Sequence, residues 1–280
     1  MEDLSCVPKP DPPAGPGGAP VWVMVGGAAR PRSADRTPLD GPAAAGHGRG
    51  GYFAKAFAQE FGVRLLQFAD GVLTHVLVLA VKPQNMPTAL QQVLPVVGKH
   101  TLVLSIAAGI SLDTLAEGLG TKRVVRTMPN TPAQLGKGIT GAVGLEINGM
   151  DQEVANLLLR AAGDVVWFAS ESMIDAVTAV SGSGPAYVFY LVEALAAAAV
   201  REGFDPDDAL HFARQTVIGA AALLEADHHI SPSTLRENVT SPKGTTAAAL
   251  SVLMAADGLA PLVGRTVRAA RQRSEELGRG

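Results

Sequence analysis

Val76-Leu77-Val78-Leu79-Ala80-Val81-Lys82-Pro83 is the stretch on which the fold turns. An unbroken apolar run, rich in β-branched residues and stopped by a proline, offers no polar face to water. It therefore reads as a central strand covered on both faces, as in a parallel sheet. Downstream, Met86 to Val97 has a helical period and Thr101 to Ser105 is extended. Ala107-Ala108-Gly109 makes a small-residue turn, and Ser111 is placed to cap a helix over Leu112 to Leu119. Arg123 to Arg126 is a strand that leads into Met128-Pro129-Asn130-Thr131-Pro132. Strands near residues 140–145 and 165–168 bracket a helix over Asp151 to Ala162. Upstream, Ala54 to Phe61 reads as helix, Val63 to Leu66 as extended, and Val21 to Val25 as a short buried strand. Strand and helix thus alternate over about 150 residues, which predicts a doubly wound parallel sheet.

Ligands of such sheets bind at the carboxyl ends of the strands, where small residues let a cofactor reach the backbone. Three candidate turns stand there: Ala80-Val81-Lys82-Pro83, Ile106-Ala107-Ala108-Gly109 and Met128 to Pro132. Gly26-Gly27 directly follows the first strand, the place of a phosphate loop in a dinucleotide-binding fold. The next residues, Ala28-Ala29-Arg30-Pro31, lack the later glycines of that loop, and Pro31, Pro38 and Pro42 interrupt the expected helix. Gly26-Gly27 is thus either a phosphate-loop remnant or a plain glycine-rich turn.

After Glu171 the pattern is helix alone. Ser181-Gly182-Ser183-Gly184-Pro185 opens a helix to Arg201, with proline at a favoured first position. That helix is apolar nearly all round, so it lies either in a subunit interface or wholly inside the core. Its longest apolar run, Pro185 to Val200, is broken by Glu193 and falls short of the roughly 18 to 20 residues of a membrane span. Asp205-Pro206 and Ser231-Pro232 start two more helices, to about Glu225 and to Val239, and Gly258 to Leu277 is the last. Before that last helix stands Asn238-Val239-Thr240-Ser241-Pro242-Lys243-Gly244-Thr245-Thr246, emptying into the apolar segment Ala247 to Ala256. A helix start directs several N–H groups and the positive end of the dipole at one spot, which suits a carboxylate. A helix cap would account for one hydroxyl, and this loop carries several together with a proline and a glycine.

Of 280 residues, 47% are hydrophobic and 18% charged, and the mean hydropathy of +0.21 indicates extensive burial, part of it between subunits. A net charge of −3 gives no basic field for nucleic acid. Cys6 is the single cysteine, which excludes an internal disulfide framework and fits a reducing, cytoplasmic location. Residues 1–20 are expected to be a disordered tail, since Pro8 to Pro20 holds six prolines and three glycines. No apolar secretory region is expected there. His228-His229 lacks further ligands at useful spacing, so no metal is expected, and Arg265, Arg268, Arg271 and Arg273 read as a solvated helix face.

Taken together, Ala80-Val81-Lys82-Pro83-Gln84, Met128-Pro129-Asn130-Thr131-Pro132, Val180 to Tyr187 and Val239 to Thr246 closely resemble, in order and spacing, motifs of pyrroline-5-carboxylate reductase. The resemblance covers about residues 60–278. It implies a Rossmann-like dinucleotide-binding domain over 21–172 and an all-helical dimerisation and substrate domain over 173–280. It further implies reduction of Δ1-pyrroline-5-carboxylate to L-proline with NADPH or NADH by a homodimer, often built into a ring of dimers. Ser241, Gly244, Thr245 and Thr246 would hold the substrate, with Asn238 beside them and Glu171 at the domain junction. Gly26 and Gly27, Ala80, Val81, Lys82 and Pro83, and Ile106, Ala107 and Ala108 would lie along the cofactor. The first βαβ unit, about residues 26–52, departs from the family pattern, as translation in a shifted frame between about residues 28 and 52 would make it. The alternative is therefore a catalytically weak or inactive oligomeric scaffold of the same family, and a further one is a related reductase acting on another small acid or imine.

Overall fold

The computed structural model of the chain describes residues 22–26, as backbone, and residues 75–278. The tail of residues 1–20, Gly27, the altered stretch to residue 52, the expected helix at Ala54–Phe61 and the expected strand at Val63–Leu66 lie outside the described residues. Two compact units are found: one extends to Val177 and takes in Glu275 onward, the other is Thr178–Ser274.

Among the described residues, six strands form one sheet in chain order: β1 (Trp22–Gly26), β2 (Val76–Ala80), β3 (Leu102–Ser105), β4 (Val124–Met128), β5 (Gly138–Leu145) and β6 (Gly163–Trp167). Strands β1 to β4 are parallel, with Val25 opposite Leu79, Leu79 opposite Ser105 and Ser105 opposite Arg126. The sheet then reverses, since β5 runs antiparallel to β4 while β6 is parallel to β5. The doubly wound, largely parallel sheet is thus present, with one antiparallel step between β4 and β5. A parallel return needs a crossover of about a dozen residues or more. Residues 129–137 are too few, and a short 3-10 segment at Thr131–Leu135 turns the chain back instead.

The sheet is covered on both faces, as the apolar run at Val76 requires. Leu77, Leu79, Val103, Val124 and Val143 share one core with the helices α1 (Met86–Val93) and α2 (Leu112–Leu119). Val76, Leu102, Leu104, Val125 and Ala142 face the other way, onto Ala155 and Leu159 of α3 (Gly149–Arg160). Alternation along each strand sorts neighbouring residues to opposite cores. The helix expected over Met86 to Val97 ends at Val93 and tightens into a 3-10 turn, Leu94–Val96, because Pro95 has no N–H for the next helical bond. Helix α3 starts before Asp151 because Asn148 and Asp151 form a reciprocal capping box, each side chain accepting the other's backbone N–H.

From Ser172 the described chain is helical: α4 (Ser172–Val177), a wide-turned π segment at Thr178–Gly182, α5 (Gly184–Arg201), α6 (Pro206–Ala226), α7 (Pro232–Asn238), α8 (Thr245–Leu253) and α9 (Leu259–Leu277). Asp205 and Ser231 cap α6 and α7, accepting the N–H groups of Asp207 and Thr234. Helix α5 packs on α6, where the ring of Phe204 meets Phe212 edge-on at 5.4 Å. No residue of α5 is buried, so the reading of a wholly internal helix is corrected. Phe189 (63%), Tyr190 (69%) and Phe212 (59%) stand open. The helical stretch Ser172–Arg201 is longer than its apolar run, and by length and composition it could cross a membrane.

Candidate active site

In the helical unit the loop of interest ends at an uncapped helix. Gly244 is the N-cap of α8, with φ −78° and ψ 176°, and no side chain accepts from the first turn. A chain that put Ser241, Thr245 and Thr246 here merely to cap the helix would show one of them bonded back to an early N–H. Instead the carbonyl of Ser241 accepts the N–H of Gly244 at 3.0 Å, closing a turn around Pro242 and Lys243. Lys243 has φ +60°, the left-handed conformation of the third position of a type II turn. The preceding helix is tied off separately, as the hydroxyl of Thr240 donates to the carbonyl of Arg236 at 2.6 Å. Asn238, exposed, is the last residue of α7. Ser241 and Thr245 are exposed and Thr246 is half-buried. The loop thus presents hydroxyls and the positive end of a helix dipole at one place, an arrangement that can receive a small carboxylate.

In the other unit the sheet brings the predicted cofactor turns together. Gly26 lies opposite Ala80, and the N–H of Ile106 donates to the carbonyl of Leu79 at 3.0 Å. Strands β1 to β3 therefore end side by side, with Ala80–Pro83 and Ile106–Ala108 issuing from adjacent strands. The turn residues differ in direction. Ile106 and Ala108 are exposed, whereas Ala107 points into the core at 3% exposure, its N–H held by the hydroxyl of Ser105. Val81 also packs on the core, while Lys82 and Pro83 are exposed. Small residues at a shared strand edge, with Gly109 at φ +71°, fit the close backbone approach that a dinucleotide needs. The first glycine turn cannot be followed past Gly26, since Gly27 lies outside the described residues.

Glu171 belongs to the sheet unit, apart in the chain from the Ser241–Thr246 loop. Its Oε1 accepts the N–H of Leu112 at 2.8 Å and pairs with Arg126 Nη1 at 2.5 Å. Sequence reasoning passed over Arg126 as one residue of a strand. Its signal was there: an arginine inside Val124-Val125-Arg126-Thr127-Met128 needs an acid to be buried at all. Among the described residues, no group of three or more His, Cys, Asp or Glu gathers to hold a metal, and the rings of His228 and His229 lie against each other at 3.7 Å.

The sequence model described as pyrroline-5-carboxylate reductase dimerisation matches residues 171–277. The chain is 44% identical over 224 residues to pyrroline-5-carboxylate reductase of Pseudomonas aeruginosa, covering 79% of this chain and 81% of that one. It is 40% identical to the enzyme of the same name from Vibrio alginolyticus, covering 78% and 82%. Among solved structures, a Coxiella burnetii pyrroline-5-carboxylate reductase superposes with a TM-score of 0.75 at 34% identity, over 81% of this chain and 85% of the other. The Plasmodium falciparum pyrroline carboxylate reductase with NADP bound gives a TM-score of 0.65 at 28% identity, over 77% and 82%. With identity of this order over four-fifths of relative and chain alike, a matching fold and a matching helical region, the chain belongs to the pyrroline-5-carboxylate reductase family.

Proposed function

We propose that this chain reduces Δ1-pyrroline-5-carboxylate to L-proline at the expense of NADPH or NADH, the last step of proline biosynthesis. Family membership supports the reaction, and the uncapped start of α8 is the observation that carries the site. The substrate is a small cyclic imine with a carboxylate. Its carboxylate is taken by the first N–H groups of α8, with the hydroxyls of Ser241 and Thr245 fixing its orientation and Asn238 at the rim. Gly244, bearing no side chain, leaves that approach open. Thr246 hydrogen-bonds the ring nitrogen and so holds the ring against rotation. The nicotinamide cofactor supplies the hydride for the imine carbon, and a proton completes the amine. The protonated imine is already a good hydride acceptor, so the demand on the protein is placement, which accounts for a site built without a strong base or nucleophile. Gly26, Gly27, Ala80 to Pro83, Ile106 and Ala108 would hold the dinucleotide at the strand ends, with Ala107 anchoring its turn from below.

The proposal extends to assembly and location. The exposed apolar residues of α5 and α6 fall inside the matched dimerisation region, which supports covering by a second copy of the chain rather than by lipid. A ring of such dimers and a cytoplasmic location complete the reading, the latter supported by a single cysteine. NADPH fluorescence titration of the full chain, followed by steady-state turnover of Δ1-pyrroline-5-carboxylate, tests it. Saturable binding and turnover are expected; without saturable binding the chain is a scaffold and not a reductase.

A further inference from the structure

Arg126 is 6% exposed on β4, and its Nε is buried with no hydrogen-bond partner. Its Nη1 reaches Glu171 Oε1, and the same oxygen accepts the N–H of Leu112, 59 residues earlier in the chain. Leu112 is the first residue of α2. A helix leaves its first N–H groups without internal partners, and a carboxylate is favoured there by the dipole. Ser111 takes the N–H of Thr114, and Glu171 takes that of Leu112. The segment between β3 and this helix start is the turn from Ile106 to Ile110, which carries two of the proposed cofactor contacts. Its near end is held by Ser105 through the N–H of Ala107, and a Cβ on Gly109 would lie 3.6 Å from the backbone oxygen of Leu277. Glu171 holds the far end.

Stability alone does not account for this arrangement. A buried ion pair is often matched or bettered by apolar residues of similar volume, and this one also leaves a buried donor unsatisfied. Building on the proposed function, we propose that Glu171 is a positioning residue for the cofactor, with Arg126 balancing its charge. Glu171 fixes the start of α2 and with it the turn Ile106–Ile110, and its carboxylate is paired with Arg126. Glu171 then acts through Leu112 and not on the substrate.

Two double variants of the full chain test this without leaving a lone buried charge. R126M/E171Q keeps a carbonyl acceptor for the Leu112 N–H, and R126M/E171M removes it. Four quantities are measured: hydrogen exchange over residues 106–112 without ligand, the NADPH Kd by fluorescence, the KM for Δ1-pyrroline-5-carboxylate, and Tm. R126M/E171Q is expected to bind NADPH within about threefold of the parent, and R126M/E171M at least about tenfold more weakly with faster exchange in the turn. Their Tm values are expected to agree within ~3 °C. Equal Kd and equal exchange in the two variants would overturn the proposal. So would a raised KM for Δ1-pyrroline-5-carboxylate at unchanged NADPH affinity, which makes Glu171 a substrate contact. A parent chain that binds no NADPH defeats the reductase reading by itself, while the exchange comparison still decides what Glu171 does to the turn.

Discussion

The backbone N–H of Gly244 donates to the carbonyl of Ser241 at 3.0 Å, and this bond closes the loop upon itself while the helix that follows starts without a side-chain cap. It folds Pro242 and Lys243 outward into a tight turn. The donors that α8 cannot use itself are left at the mouth of that turn.

Thr246→Ala removes the proposed hydrogen bond to the ring nitrogen while leaving the helix start intact. A loss of kcat/KM of about tenfold or more is expected, about 1.4 kcal/mol per tenfold, with Tm little changed. Steady-state kinetics that return the parental value would remove Thr246 from the mechanism.

Gly244→Asp places an anion at the N-cap, where it can bond the N–H groups assigned to the substrate carboxylate. An added Cβ lies 3.1 Å from the oxygen of Ser241, a contact the turn must relax slightly to admit. KM for the imine is expected to rise by at least about tenfold, since the new carboxylate competes for the same donors and repels the ligand. Gly244→Asn, of similar shape but neutral, is expected to do less harm. Equal KM values for the two variants would exclude anion competition.

Lys243→Gly relieves a left-handed backbone at φ +60°. That conformation costs a side-chain-bearing residue about 1–2 kcal/mol, of which glycine's greater freedom when unfolded takes back part. A net gain of about 0.5–1 kcal/mol is expected in chemical denaturation. A loss of stability would show that the lysine side chain contributes a contact outweighing the strain.

Tyr190→Glu puts a charge on the most exposed aromatic of α5. In a dimer built through this helix the charge must be buried or the interface opened, and the dimer Kd is expected to rise by about a hundredfold or more. Sedimentation at micromolar concentration reads it directly. An unchanged sedimentation coefficient would place the interface elsewhere.

Much of the fold was legible because its causes are local. Ser111, Asp205 and Ser231 announced their helices by side chains that accept N–H groups two or three residues on. Likewise, the run at Val76 announced a strand buried on both faces. The reversal at β5 was missed because strand direction depends on what the connecting residues can span, and alternation along the strand carries no sign of it. In the helical unit, the Ser241–Thr246 loop was readable from its proline, its glycine and its hydroxyls. The left-handed residue was not, since Lys243 is held at that position by the turn around it and not by its own preference. Direction along a strand end was equally hidden: Ala107 and Ala108 are the same residue type, and only one faces out. The pairing of Arg126 with Glu171 joins positions 45 residues apart, which no window along the chain could have connected.

The open face of α5 and α6 gives this chain an unusual relation to its own dilution. Phe189, Tyr190 and Phe212 stand largely open among the described residues. For a chain that completes its hydrophobic interior by meeting another, the last step of folding is second order, with a rate that falls as chains become scarce. A cell producing few copies would hold each one longer in a form whose apolar side is bare, within reach of chaperones and proteases. Supply of the finished assembly would then vary more steeply than synthesis of the polypeptide.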